Sequence, residues 1–184
     1  MRRIKYQVGI KVVTEITSIE YLDLYGDVDM LQIGSRNCQN FELLKTLAMK
    51  TDKPILLKRG FGMSIKEFEG AAAYLKAYGA LDVILCERGI KTFERDTRNT
   101  LDFAAIPLLQ AKGFTVIVDP SHGTGRRDLI FPMSKAAIAC GADGLIIEAT
   151  ENPDGAISDS SQTIDFKSLK EIKDFYDWYK RSYI

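Results

Sequence analysis

Short apolar runs alternate with longer amphipathic stretches six times along this chain, and no other feature restricts its fold so much. The runs are Lys11 to Ile16, Val28 to Gly34, Pro54 to Arg59, Asp82 to Arg88, Phe114 to Asp119 and Gly144 to Glu148. Each is dominated by Val, Ile and Leu and is short, so each reads as a buried strand. Helical spacing predicts helices over Ile19 to Tyr25, Asn40 to Met49, Ile65 to Tyr78, Thr97 to Ala111, Ser134 to Cys140 and Phe166 to Tyr183. Ser64 with Glu67 has capping-box spacing at the start of the third helix, while Gly79 and Gly141 stand where helices should stop. A βαβα alternation of this kind implies a parallel sheet.

Six such units in 184 residues give about 31 residues each, the pitch of an eightfold α/β barrel of about 250 residues. The expected fold is therefore a TIM (β/α)8-barrel type truncated to about six βα units, a single domain over 1–184 with no linker. The alternative is a complete open doubly wound sheet. Every strand run closes on a charged or metal-competent residue: Glu15, Arg36, Lys58, Arg88, His122 and Glu148. In a barrel all six would converge on one mouth, whereas an open sheet would spread them along an edge.

The charge balance is even, with 25 basic and 25 acidic residues. Nucleic-acid and membrane-surface proteins normally carry a basic excess, so neither partner is expected and any attraction for anions must be local. No apolar run approaches the roughly 20 residues of a bilayer span, and the N-terminal MRRIKYQVGI has no signal-peptide core, which makes a cytoplasmic location the default. Cys38, Cys86 and Cys140 are odd in number and form no CxxC pattern, so they read as small buried hydrophobes in a reducing compartment.

The densest chemistry lies in Phe114 to Arg127, FTVIVDPSHGTGRR, where a β-branched run delivers the only histidine of the chain to its own C-terminal end. Arg36, Lys58 and Arg88 would bring three cations to strand ends in a neutral chain. Such a cluster repels itself unless a polyanion sits in it, and arginine forks suit carboxylate and phosphate oxygens, so a phosphorylated carboxylic acid is the implied ligand. His122, Glu148 and Asp159 offer one nitrogen and two oxygen donors, a mixture that suits a divalent metal such as Mn, Fe, Co or Zn without choosing among them. Arg126 and Arg127 follow Gly123-Thr124-Gly125, which is either a backbone cradle for a phosphate or an exposed basic turn.

Seven stretches, IGSRNCQN (Ile33 to Asn40), LLKRG (Leu56 to Gly60), ILCERGIKTFE (Ile84 to Glu94), TRNTLD (Thr97 to Asp102), VDPSHGTGRR (Val118 to Arg127) and the closing IIEAT and ISDSSQ, occur in this order. Together they resemble the 3-deoxy-D-arabino-heptulosonate 7-phosphate (DAHP) synthases of the short microbial type. The resemblance implies a barrel that condenses phosphoenolpyruvate with erythrose 4-phosphate, the first step of the shikimate pathway to aromatic amino acids. It casts Lys58 and His122 as catalytic, Arg36, Lys58, Arg88, Arg126 and Arg127 as substrate-binding, and His122, Glu148 and Asp159 as metal ligands. The runner-up is the sister 3-deoxy-D-manno-octulosonate 8-phosphate synthase, which lacks the RNxQN and IxTFExxTR signatures. A third reading is a non-catalytic phosphoenolpyruvate-binding remnant. The resemblance places this chain on strands 3 to 8 of the family barrel, with Met1 to Gly9 as the tail of the second helix, and finds neither the family's GPCS-like and KPRTS-like motifs nor a regulatory domain. Two uncovered sheet edges would then call for a homo-oligomer or a complementing chain.

Overall fold

The run Ile55–Lys58 forms a strand with all its residues buried, the signature of a parallel strand covered on both faces. The computed structural model describes residues 2–183, and the side chains of all of these except Arg2 and Ile4. In chain order the elements are α1 (Arg2–Val8), β1 (Val13–Glu15), β2 (Met30–Ile33), α2 (Phe41–Lys50), β3 (Ile55–Lys58), α3 (Ile65–Ala77), β4 (Val83–Glu87), α4 (Ala105–Gln110), β5 (Thr115–Val118), α5 (Pro120–Thr124), α6 (Arg127–Ala139), β6 (Gly144–Leu145) and α7 (Phe166–Tyr183). The strands line up in the order β1-β2-β3-β4-β5-β6. A doubly wound sheet reverses its strand order at a switch point, and this one never does, so the topology is that of the parallel barrel class. No helix among the described residues is long and apolar enough to cross a membrane.

The chain divides into two compact units, 1–85 and 86–184, with β4 running across the division. In the first unit β1 pairs with β2 in parallel, Val13 opposite Met30 and Glu15 opposite Gln32, and β2 pairs with β3, Leu31 opposite Ile55. Leu31, Ile33, Ile55 and Leu57 are fully buried, as are Leu44 and Leu47 from α2 and Phe68, Ala72 and Leu75 from α3. The capping box is present: Ser64 Oγ accepts from the Glu67 N–H at 3.2 Å, and the Ser64 N–H donates to Glu67 Oε2 at 2.8 Å. Lys5 of α1 donates to Asp29 Oδ1 at 2.8 Å while Asp29 Oδ2 accepts from the Val12 N–H at 2.9 Å. These bonds hold the Asp29 carboxyl far below the usual range.

In the second unit β5 pairs with β6, Ile117 opposite Gly144. Ile130 of α6, Ile164 and Ile172 of α7 form a core on which Phe131, Leu145, Ile147 and Leu169 pack. Gly79 and Gly141 end their helices at φ +107 and +90, left-handed values that favour glycine.

The structure departs from the sequence pattern at four places. Ile19–Tyr25 is a tight 3-10 helix opened by the Ser18 side chain. The expected helix over 97–111 starts only at Ala105, because the Arg98 and Asn99 N–H groups donate to the Thr124 and Gly123 carbonyls instead of to a helix of their own. The expected helix over 134–140 begins seven residues earlier, at Arg127, and carries Pro132 within it. Cys38 and Cys86 are buried, but Cys140 is exposed at the end of α6.

Candidate functional site

β5 hands over to α5 at Asp119, where Pro120 cannot donate to a strand ladder but suits the first position of a helix. Asp119 is buried and uses both oxygens on one residue. Its Oδ1 accepts from the His122 N–H at 2.8 Å, capping α5, and its Oδ2 lies 2.8 Å from His122 Nδ1. Nδ1 is thus turned to the Asp119 carboxylate, which leaves Nε2 as the ring nitrogen facing the rest of the site. His122 Nε2 stands 3.1 Å from Glu148 Oε1. The backbone carbonyl of His122 accepts from Asn99 Nδ2 at 2.8 Å and from Arg88 Nη2 at 3.3 Å.

Glu148 follows β6 and is itself held at three points. Its N–H donates to Ser121 Oγ at 3.1 Å, and its Oε2 accepts from Gln162 Nε2 at 3.2 Å and from the Thr163 hydroxyl at 3.5 Å. Burial pushes the Glu148 carboxyl upward, against the pull of His122 and the Gln162 bond. Asp159 sits at φ 52, the one non-glycine residue with positive φ among those described, a conformation that Asp tolerates better than most. Its Oδ1 accepts from Arg98 Nη1 at 3.0 Å. One ligand atom from each of His122, Glu148 and Asp159 lies within 4.8 Å of the others. A nitrogen and two carboxylates converging in this way, with the histidine ring oriented by a further carboxylate, fit a divalent transition metal. Beside Glu148 opens a cleft of about 590 Å³, lined among others by Thr150, Ile157, Ser158 and Thr163, of the size that takes small ligands.

The other residues singled out in the sequence have these places. Arg88 is 2% exposed at the end of β4, and burial presses its guanidinium downward while Asp119 opposes that shift. Arg126 is exposed and forks onto Asp128, Nε to Oδ1 at 3.1 Å and Nη2 to Oδ2 at 2.8 Å. Arg127 donates to Asp154 Oδ1 and to the Ser160 carbonyl, both at 2.8 Å. The Gly123 and Gly125 amides are used within the turn, donating to the Asp119 and Ser121 carbonyls. These glycines serve close packing rather than a phosphate cradle: a Cβ would meet Leu101 at 2.5 Å from Gly123 and Arg98 at 2.7 Å from Gly125. In the first unit, Lys58 is buried at the end of β3 and Arg36 is exposed in the turn Ser35–Asn37 after β2. Glu15 lies over Gly34, where an added Cβ would sit 2.2 Å from its Oε1.

Three contributors were not singled out from the sequence: Asp119, Arg98 and Gln162. Asp119 had a usable signal, since Asp before Pro at the start of a turn is an N-cap pattern. Arg98 lies in the TRNTLD stretch, but its pairing with Asp159, 61 positions away, has no local signal.

Comparison with known proteins identifies the family of the chain. The family described as DAHP synthetase I matches residues 1–182. A phospho-2-dehydro-3-deoxyheptonate aldolase of Thermotoga maritima is 48% identical over 166 residues, which are 89% of this chain and 49% of that protein. The chain thus spans about half the length of that relative. A 2-dehydro-3-deoxyphosphooctonate aldolase of Desulfotalea psychrophila is 30% identical, covering 94% of this chain and 65% of its own. Among solved structures, the Thermotoga maritima DAHP synthase superposes with a TM-score of 0.93 at 44% identity, over 98% of this chain and 54% of that one. A truncated form of 3-deoxy-D-arabino-heptulosonate 7-phosphate synthase from the same organism gives 0.93 at 43% identity, with 98% and 70% covered. On the match over residues 1–182, this chain belongs to the DAHP synthetase I family.

Proposed function

We propose that the chain carries the metal-assisted chemistry of a DAHP synthase, condensing phosphoenolpyruvate with erythrose 4-phosphate. One observation carries this reading: Asp119 aims His122 Nε2 at Glu148, with Asp159 completing the cluster, in a chain of that family. His122, Glu148 and Asp159 would hold the divalent metal. When bound, it supplies a Lewis acid that orients and polarises the aldehyde oxygen.

The chain's own residues do the rest. Asp119 engages Nδ1 and fixes the ring, so Nε2 is the nitrogen presented. Gln162 and Thr163 hold Glu148 Oε2 and leave Oε1 facing the histidine. Arg36, Lys58 and Arg88 are proposed to grip the phosphate and carboxylate of phosphoenolpyruvate, and Arg126 and Arg127 the aldose phosphate once they exchange their present carboxylate partners for it. Positioning of a doubly ionised substrate by fixed cations supplies much of the rate in such condensations. Mn, Fe, Co and Zn all suit the donor set.

The test is phosphate release from phosphoenolpyruvate by this chain with Mn²⁺ and either erythrose 4-phosphate or an aldose phosphate one carbon longer. Turnover with erythrose 4-phosphate that disappears in His122→Ala is the expected result. Turnover only with the longer sugar would assign the chain to the octulosonate chemistry. Binding of phosphoenolpyruvate with no turnover on either sugar would leave a binding remnant.

A further inference from the structure

The TRNTLD stretch has no part in the chemistry above, yet it bonds to His122 and Asp159 directly and reaches Glu148 through Gln162. Gly89, at φ +85, starts the segment that leaves β4 and lets it pass close to Asn99, whose Cβ would lie 2.6 Å from a Cβ at Gly89. Ile90 and Thr100 then exchange a pair of backbone bonds, both 2.9 Å. The Arg98 and Asn99 N–H groups donate to the Thr124 and Gly123 carbonyls at 2.7 and 3.0 Å, so the segment is stitched along α5. Asn99 Nδ2 also holds the His122 carbonyl.

From this fixed base the Arg98 guanidinium reaches two oxygens with one nitrogen: Nη1 donates to Asp159 Oδ1 at 3.0 Å and to Gln162 Oε1 at 2.9 Å. The second bond decides which way the Gln162 amide points. With Oε1 turned to Arg98, Nε2 faces Glu148 Oε2 at 3.2 Å. Arg98 therefore acts on Asp159 directly and on Glu148 through Gln162.

We propose that Arg98 is the positioning residue of the metal centre, orienting two of its three ligands from a segment that also holds the third; this rests on reading His122, Glu148 and Asp159 as metal ligands. Two effects compete. The charge of Arg98 opposes a second cation, while the fixed orientation of the ligands favours it. Arg98 and Asp159 side chains are 37% and 38% exposed, so solvent and salt screen the charge effect. Orientation by outer partners of metal ligands is worth roughly 10–100-fold in affinity. Orientation wins on these magnitudes.

The experiment titrates Mn²⁺ into the full chain, following the signal of free Mn²⁺ by electron paramagnetic resonance, and counts waters on the bound ion by proton relaxation. Wild type, His122→Ala, Arg98→Lys and Arg98→Ala are compared, each with its metal-free melting curve. Loss of Mn²⁺ binding in His122→Ala tests the underlying ligand reading by itself. The expected result for Arg98→Ala is roughly 10–100-fold weaker binding and an added water on bound Mn²⁺. Arg98→Lys, which keeps the charge but on a shorter side chain that cannot reach both oxygens from the same base, should fall in between. Wild-type affinity and water count in Arg98→Ala, with binding still abolished in His122→Ala, would overturn the proposal and leave the ligand set standing. Wild-type binding that His122→Ala does not reduce would overturn both. If Arg98→Ala does not fold, Arg98→Lys decides: unchanged affinity there refutes the role.

Discussion

The strand ends of the first unit and those of the second are secured by different forces. Lys58 and Arg36 follow strands whose neighbours, Leu31, Ile33, Ile55 and Leu57, are fully buried, and apolar burial holds that framework. His122, Glu148 and Asp159 instead follow short or irregular elements, β6 being only Gly144–Leu145, and are held by bonds from Asp119, Ser121, Gln162 and Arg98. Burial is non-directional and tolerates small shifts, whereas a hydrogen-bonded set of donors fixes angles as well as distances. The metal-competent residues of the second unit are thus held by directional bonds in addition to that unit's own apolar core.

Core truncation in the first unit should be the largest single effect on folding. Phe68 of α3 is fully buried, and Phe68→Ala is expected to cost about 3–5 kcal/mol by urea unfolding. A cost near zero would break the assignment of that unit's stability to burial. Next comes Asp119→Ala, which removes the α5 cap and the histidine partner together. About 1–2 kcal/mol of stability and roughly 10–100-fold in Mn²⁺ affinity should be lost. Asp119→Asn separates the two, since the amide oxygen can still cap α5 while the charge on Nδ1 is gone. Wild-type affinity in both variants would show that the histidine needs no orienting partner.

Gly125→Ala probes the contact between α5 and Arg98, because Gly125 has φ +69 and a Cβ there would sit 2.7 Å from Arg98 Cβ. Left-handed backbone alone costs about 1–2 kcal/mol, and Mn²⁺ affinity should fall with it as Arg98 is displaced. The smallest effect belongs to the first unit again: Ser64→Ala should cost about 1 kcal/mol with Mn²⁺ binding unchanged. Its pH dependence has a definite sign. The Ser64 N–H and hydroxyl lower the Glu67 carboxyl, so the capping contribution is present above the ordinary carboxylate range and is lost as pH falls through the lowered value. The Ser64→Ala cost should therefore shrink in acid; a cost independent of pH would exclude the Glu67 bond as its source.

Legibility in the sequence follows the same division. Runs such as PILLKR announce β3 because apolar burial on both faces leaves an apolar string, and Ser64-x-x-Glu67 announces α3 because capping is local. PSHGT hides a one-turn helix behind Pro and Gly, residues that read as a turn. Thr97 to Ala104 keeps helical spacing yet stays unwound, since α5 supplies better acceptors for its N–H groups. His122, Glu148 and Asp159 were legible as residue types, but not the partners that aim them, since Arg98 and Asp159 meet only through the fold.

Anomalous diffraction from crystals grown with Mn²⁺ decides most directly whether the second unit presents His122, Glu148 and Asp159 as one metal centre. One anomalous peak within bonding distance of His122 Nε2 and of carboxylate oxygens of Glu148 and Asp159 is expected; a peak elsewhere, or a fully occupied Mn²⁺ that leaves His122 Nε2 against Glu148 Oε1 as it now stands, would rule that centre out.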